Sequence, residues 1–189
     1  MYALKKELRK KAKEILKAQS PEIRLVNGDK MADILLKSTI WNKAESVFCF
    51  YSLPTEPSTL KILNEAIKQG KKLSLPRCEE SGQMSLHLIN SLTELREGAY
   101  GILEPQGNNT INAEEIDLAL LPCLAASLDG SRLGKGGGFY DRFLQSFEGT
   151  TVVLCQDELI LENGSIPMEN HDIYAQYILT QTKLIKAKK

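Results

Sequence analysis

The sequence predicts a three-layer α/β domain built on a mainly parallel sheet, and three observations lead there. Short apolar, β-rich runs alternate with segments of helical hydrophobic period along most of the chain. The run 118–125 is apolar almost throughout, which suits a strand covered on both faces. Glycines, prolines and charged residues gather just after the strand-like runs, where open α/β sheets place their ligands. At 189 residues the chain is read as one domain, 1–189, long enough to bury a core without disulfides or a structural metal.

The elements follow in order. Residues 2–18 space Leu4, Leu8, Ala12, Ile15 and Leu16 three to four apart between lysines, as an amphipathic helix does. Lys5 and Arg9, four apart, share one face of it, a pattern that also fits a merely solvated surface. Ser20 and Pro21 offer an N-cap and a first-turn proline for a second helix, with Ile23, Val26, Met31, Ile34 and Leu35 as its buried side and Gly28 as its weak point. Residues 47–51 form the first strand and open into Ser52-Leu53-Pro54-Thr55-Glu56-Pro57, a loop stiffened by two prolines. Glu56 there is a loop acid, a cap for the helix over 58–69, or a ligand contact.

Gly70 ends that helix, and 72–75 is the second strand, closed by Pro76 and Arg77. Arg77 is read as a surface arginine or an anion contact. Residues 83–89 alternate as a further strand, with His87 structural. The segment 98–107 is turn-rich, and the polar 108–115 reads as a mobile connection to the central strand. A turn at Asp129-Gly130 follows, then a glycine-rich loop, a helix from Phe139, a buried strand at 151–155, a loop over 166–172, a last strand at 177–180 and a frayed tail over 183–189.

Composition excludes several function classes. Twenty-four basic and 24 acidic residues give zero net charge, so no general affinity for nucleic acid is implied. The four cysteines are far apart with no CxxC pair and read as reduced, buried thiols of a cytoplasmic protein. No apolar stretch reaches membrane-spanning length, and no signal peptide is seen at the N-terminus. Two histidines are too few for a metallohydrolase site, despite the His171-Asp172 pair.

The chemistry centres on Arg132-Leu133-Gly134-Lys135-Gly136-Gly137-Gly138-Phe139-Tyr140-Asp141. A loop without Cβ atoms lets backbone N–H groups approach an anion, and two cations stand among the glycines. The spacing is neither a dinucleotide fingerprint, which needs a glycine at Phe139, nor a Walker A loop. On spacing alone it is a phosphate loop of another type or a flexible connection.

RLGKGGGFYDR, with DLALLP before it, resembles the signature of the 5-formyltetrahydrofolate cyclo-ligase family. The resemblance continues at Lys5-Lys6-Glu7-Leu8-Arg9, at Tyr51 to Glu56, at Leu75-Pro76-Arg77 and from Ile166-Pro167 to His171-Asp172, and so covers essentially the whole chain. It implies a fold related to sugar-phosphate isomerases and CoA transferases. It implies ATP- and Mg²⁺-dependent closure of 5-formyltetrahydrofolate to 5,10-methenyltetrahydrofolate by a monomeric enzyme. By the same resemblance, Lys5, Arg9 and the loop from Arg132 and Leu133 through Gly134, Lys135, Gly136, Gly137 and Gly138 to Phe139 and Tyr140 hold ATP. Tyr51, Glu56 and Tyr140 hold the folate, Asp141 and Asp172 hold magnesium, and Arg132, Lys135 and Tyr140 act in catalysis. Departures from the family pattern are Phe139 for a frequent tyrosine, Lys135 for a frequent arginine, and Gly137 where human-type members carry lysine. Rival readings are a nucleotide- or folate-binding module without turnover and an isomerase-like enzyme with Glu56 as base.

Overall fold

The computed structural model describes residues 2–79, 83–98 and 101–188. Three helices come first, α1 (Tyr2–Ala18), α2 (Pro21–Leu36) and α3 (Thr39–Lys43), before strand β1 (Ser46–Phe48) and helix α4 (Leu60–Lys68). Strands β2 (Lys72–Cys78), β3 (Met84–Ile89), β4 (Leu95–Glu97), β5 (Leu103–Pro105), β6 (Leu118–Pro122), β7 (Ala125–Ser127) and β8 (Arg132–Leu133) follow. Helix α5 (Phe139–Leu144) and strands β9 (Thr150–Leu154), β10 (Ile160–Leu161), β11 (Tyr177–Leu179) and β12 (Leu184–Lys186) complete the chain.

Seven strands form one sheet in the order β12-β11-β9-β6-β1-β2-β3. Its four inner pairings are parallel, and only the edge strands β3 and β12 run antiparallel to their neighbours. The pleat explains the apolar runs. Val47, Leu118, Leu120 and Val152 pack on one face with Met31, Leu35, Trp41, Ile62 and Leu63 from α2, α3 and α4. Phe48, Ala119, Leu121 and Val153 pack on the other with Ala12 and Leu16 from α1 and Phe143 and Leu144 from α5. Alternate residues of each central strand therefore serve two different cores, and this makes the third layer.

Several local signals hold. Ser20 Oγ accepts from the Ile23 amide at 3.3 Å, with Pro21 in the first turn of α2. Gly70, at φ +69°, closes α4 in a Schellman motif: its N–H reaches Ile67 O and the Lys71 N–H reaches Ala66 O, each at 3.0 Å. Asp129 Oδ1 caps its own turn by accepting from the Ser131 amide at 2.8 Å.

Other expectations are corrected. Ile23 and Val26 face solvent, each 49% exposed, and Leu4 and Ile15 of α1 are exposed too. The reason lies at Gly28, where any Cβ would stand 2.2 Å from Ser58 O. That approach, with the Ser58 amide donating to Arg24 O at 3.2 Å, turns Asn27, Gly28, Met31, Ala32 and Leu35 inward. Gly28 is thus the contact of α2, not its weak point.

The run 118–125 is not one strand. β6 ends at Pro122, and the chain re-pairs as β7 in a separate three-stranded sheet with β8 and β10. The segment 108–115 is tied down: Thr110 bridges His87, Ile111 is buried, and Asn112 and Glu115 form a capping box. The tail expected to fray supplies edge strand β12, paired residue for residue with β11. Within the turn-rich 98–107 segment, Ala99 and Tyr100 lie outside the described residues, as does Lys189 of the tail.

Candidate active site

The site is assembled at the carboxyl ends of the parallel strands, and the β7–β8 hairpin sets its first fixed point. Ala126 pairs Arg132 across that hairpin. Its Asp129-Gly130 turn is locked against a distant segment, because the Ala175 amide donates to Gly130 O at 2.8 Å. Gly130, at φ +90°, has no room for a Cβ, which would sit 2.2 Å from Ala175 O. Arg132 is therefore delivered beside residues 173–175. Its side chain is 4% exposed, donates from Nη2 to Asp141 Oδ1 at 2.7 Å, and donates from Nη1 to Ile173 O. The resemblance implies a cation gripping phosphate; in the structure the guanidinium borders the cavity and also fixes Asp141.

Beyond Leu133 the chain opens. Gly134, Lys135, Gly136 and Gly137 are exposed, and Gly136 and Gly138 adopt φ of +106° and +68°, which favour glycine. Two arginines hold the loop from outside: Arg9 Nε donates to Gly134 O at 2.9 Å and Arg142 Nη2 to Gly137 O at 2.8 Å. Among the described residues, no amide N–H from Lys135 to Gly138 donates to the protein. These unclaimed donors make an anion cradle. Helix α5 has only six residues, so its dipole adds little to the loop.

Lys135 reaches away from the loop to Glu56, with Nζ 2.6 Å from Oε1. Glu56 is 7% exposed, and its other oxygen accepts from the Leu53 amide at 2.9 Å, a turn within the stiff 52–57 loop. Helix α1 closes the other side. Lys5 Nζ lies 2.6 Å from Asp172 Oδ2, which also accepts from the Glu169 amide at 2.8 Å. Burial alone would raise the Asp172 carboxyl, but the Lys5 ammonium and the Glu169 amide outweigh it and hold the carboxyl below its ordinary value. The Tyr140 phenol is pushed well up, first by burial and then by the nearby Glu56 carboxylate, so at neutral pH it keeps its proton.

These groups surround one cavity of about 640 Å³. All fifteen residues expected at the site border it: Lys5, Arg9, Tyr51, Glu56, the whole run from Arg132 to Asp141, and Asp172. Its lining joins apolar side chains, among them Phe50, Leu53, Met84, Leu103 and Pro122, to the glycine loop, Lys5, Arg9 and the two aspartates. Arg77 is not among the lining residues and is bound to Glu79 at 3.2 Å and Gly107 O at 3.3 Å. His87 is fully buried, with Nε2 2.7 Å from Ser85 Oγ and its Nδ1 unpartnered among the described residues. Reading the sequence missed Cys78, Cys123 and Glu104 as lining residues. Burial, and then the Glu104 carboxylate, push the Cys78 thiol up to about 11, so it is not a thiolate nucleophile. Glu104 is the one of the three that a signal could have found, being a lone acid in the apolar centre of 102–105.

Magnesium fits this donor set. Asp141 uses Oδ1 for Arg132 and for the Ile173 amide, and Asp172 uses Oδ2 for Lys5 and Glu169, which among the described residues leaves Oδ2 of Asp141 and Oδ1 of Asp172, the latter 3.8 Å from His171 Nε2, as hard oxygens. Among the described residues, no group of three His, Cys, Asp or Glu side chains could enclose a metal. An ion here would complete its shell with phosphate oxygens and water.

Fold and cavity together define the class: an α/β enzyme with a glycine loop, cations and apolar side chains gathered round a single cleft. Residues 2–181 match the model of the 5-formyltetrahydrofolate cyclo-ligase family. A mitochondrial 5-formyltetrahydrofolate cyclo-ligase of Arabidopsis thaliana is 30% identical, covering 98% of this chain and 76% of its own. The 5-formyltetrahydrofolate cyclo-ligase of Mus musculus is 29% identical over 93% of this chain and 92% of its own. The solved structure of Aquifex aeolicus 5,10-methenyltetrahydrofolate synthetase superposes with a TM-score of 0.85 at 29% identity, covering 98% of this chain and 94% of that one. The chain belongs to the 5-formyltetrahydrofolate cyclo-ligase family.

Proposed function

We propose that this enzyme converts 5-formyltetrahydrofolate to 5,10-methenyltetrahydrofolate at the expense of ATP, releasing ADP and phosphate. The observation that carries this reading is the single cleft that brings the glycine loop and the cations Lys5, Arg9 and Lys135 together with apolar side chains and Glu56. A formamide is a poor electrophile and its oxygen a poor leaving group. Transfer of the γ-phosphoryl group to the formyl oxygen answers both. The folate's own N10 then attacks the formyl carbon and gives up its proton to solvent, the ring closes, and phosphate departs with the former formyl oxygen.

Because the attacking nitrogen is on the same molecule, the protein's work is positioning and charge stabilisation. The amides of Lys135 to Gly138, with Lys5 and Arg9, bind the triphosphate. Lys135, the cation that can move, meets the γ-phosphoryl group, while Arg132 holds Asp141 still. Asp141 and Asp172 hold Mg²⁺, which when bound offsets phosphate charge. Glu56 accepts the two adjacent donors of the pterin, and the rings of Tyr51 and Tyr140 bound the cleft, the protonated Tyr140 hydroxyl serving as a hydrogen-bond donor. The enzyme acts as a monomer in the cytoplasm, a location that suits four free thiols; among the described residues no helix is long and apolar enough to cross a membrane.

The test is near-UV absorbance of protein with 5-formyltetrahydrofolate and MgATP. The methenyl band should grow only in the complete mixture. Its absence, with both ligands bound to folded protein, would leave a binding module without turnover.

A further inference from the structure

Lys135 and Glu56 belong to different halves of the cleft, yet each is the other's partner at 2.6 Å. We infer that this ion pair is a latch coupling the two substrates: the folate, arriving first, takes Glu56 and hands Lys135 to the nucleotide. The inference rests on the proposed function and adds a binding order and a linkage to it.

The argument is an asymmetry of burial. The side chain of Lys135 is 44% exposed, whereas that of Glu56 is 7% exposed. If nucleotide binds first and its γ-phosphate draws Lys135 away, Glu56 is left as a buried carboxylate that, among the described residues, holds only the Leu53 amide. An uncompensated buried charge opposes that step. If folate binds first, its pterin donors replace Lys135 on Oε1, and the ammonium is released into water on the exposed loop at little cost. Nucleotide then meets a free cation. Equilibrium linkage is reciprocal, so each ligand raises the other's affinity by one common factor, while the kinetic route runs through the folate complex. The geometry suits the exchange, because Gly134, Gly136 and Gly137 flank Lys135 on an exposed loop and Glu56 sits on a proline-stiffened one. The carboxylate stays and the lysine moves.

Calorimetric titration of the full chain with a non-hydrolysable ATP analogue and Mg²⁺, alone and with saturating 5-formyltetrahydrofolate, reads the coupling directly. Folate should tighten the analogue about tenfold, within the ordinary range of coupling between sites. The decisive variant is Glu56→Gln, which keeps an acceptor for the Leu53 amide but has no charge to hold Lys135. Without any folate, it should bind the analogue about tenfold tighter than the wild type does, matching the folate-saturated wild type, and folate should add nothing. A gain in nucleotide affinity from a change in the folate half is not what damage to the fold produces. Two binding ligands with no coupling in the wild type would overturn the latch and leave the proposed function standing. Nucleotide binding no tighter in Glu56→Gln than in the wild type would overturn it as well. Failure of the wild type to bind either ligand would instead remove the proposed function, and the latch with it.

Discussion

Arg132 and Lys135 stand three residues apart in one motif and carry the same charge, but they lie in two different regions. Arg132 belongs to a hairpin whose turn is locked to residues 173–175, and its side chain is 4% exposed with two fixed acceptors. Lys135 belongs to an open glycine loop, 44% exposed, and has one acceptor across the cleft. The backbone that delivers a cation decides its work. One arginine on a braced hairpin can only hold; one lysine among glycines can be exchanged between partners.

The largest effect should come from the braced end. Arg132→Ala takes the guanidinium from the Ile173 carbonyl and from the Asp141 carboxylate, which keeps only the Ile173 amide among the described residues, and should cost about 3 kcal/mol of stability, read by urea unfolding. Turnover should fall by about three orders of magnitude, and Arg132→Lys should recover only part of either loss, since an ammonium lacks the guanidinium fork. A variant as stable as the wild type would break the contrast. Next comes Lys135→Ala, expected to lower turnover about a hundredfold while costing about 1.5 kcal/mol, because the half-exposed ammonium is screened by water although Glu56 loses its counter-charge. Equal stability losses at the two positions would erase the distinction.

The loop itself offers a smaller test. Gly138→Ala places a side chain at φ +68° and should cost about 1 kcal/mol in thermal unfolding. Gly134→Ala meets nothing within 4 Å and should lie within about 0.5 kcal/mol of the wild type. The smallest expected effect concerns pH. The Asp172 carboxyl lies below its ordinary value of 3.8 in the folded chain, so its share of stability is present above that value and is lost as pH falls through the lower, folded one. Lys5→Met should therefore be less stable than the wild type at neutral pH and converge with it in strong acid. A constant gap across that range would mean that Lys5 acts by packing alone.

Most of the frame was legible because it is written in local rules. The apolar stripe of α1, the Ser20-Pro21 start of α2, Gly70 after α4 and the doubly buried central strands each follow from neighbours in sequence. What escaped was set by contacts far along the chain. Ile23 and Val26 look like a core stripe until Ser58 approaches Gly28 and turns the helix. Residues 184–186 look like a frayed end until β11 offers an edge to pair with. The site divides the same way. Its membership could be read from the motif and the family resemblance, since every residue so assigned lines the cavity. The pairing of Lys135 with Glu56, 79 positions apart, and the burial of Arg132 against Asp141 and Ile173 have no signature in spacing.

The docking of α1 also bears on how the molecule comes into being. Helix α1 precedes its partners in the sequence: Arg9 finds its carbonyl 125 positions later and Lys5 finds Asp172 167 positions later. Contacts of such separation close slowly, because the loop between them must be gathered before they repay it. The docking of α1 against the glycine loop and Asp172 therefore waits until the segments that carry them have folded, so this wall of the cleft closes late.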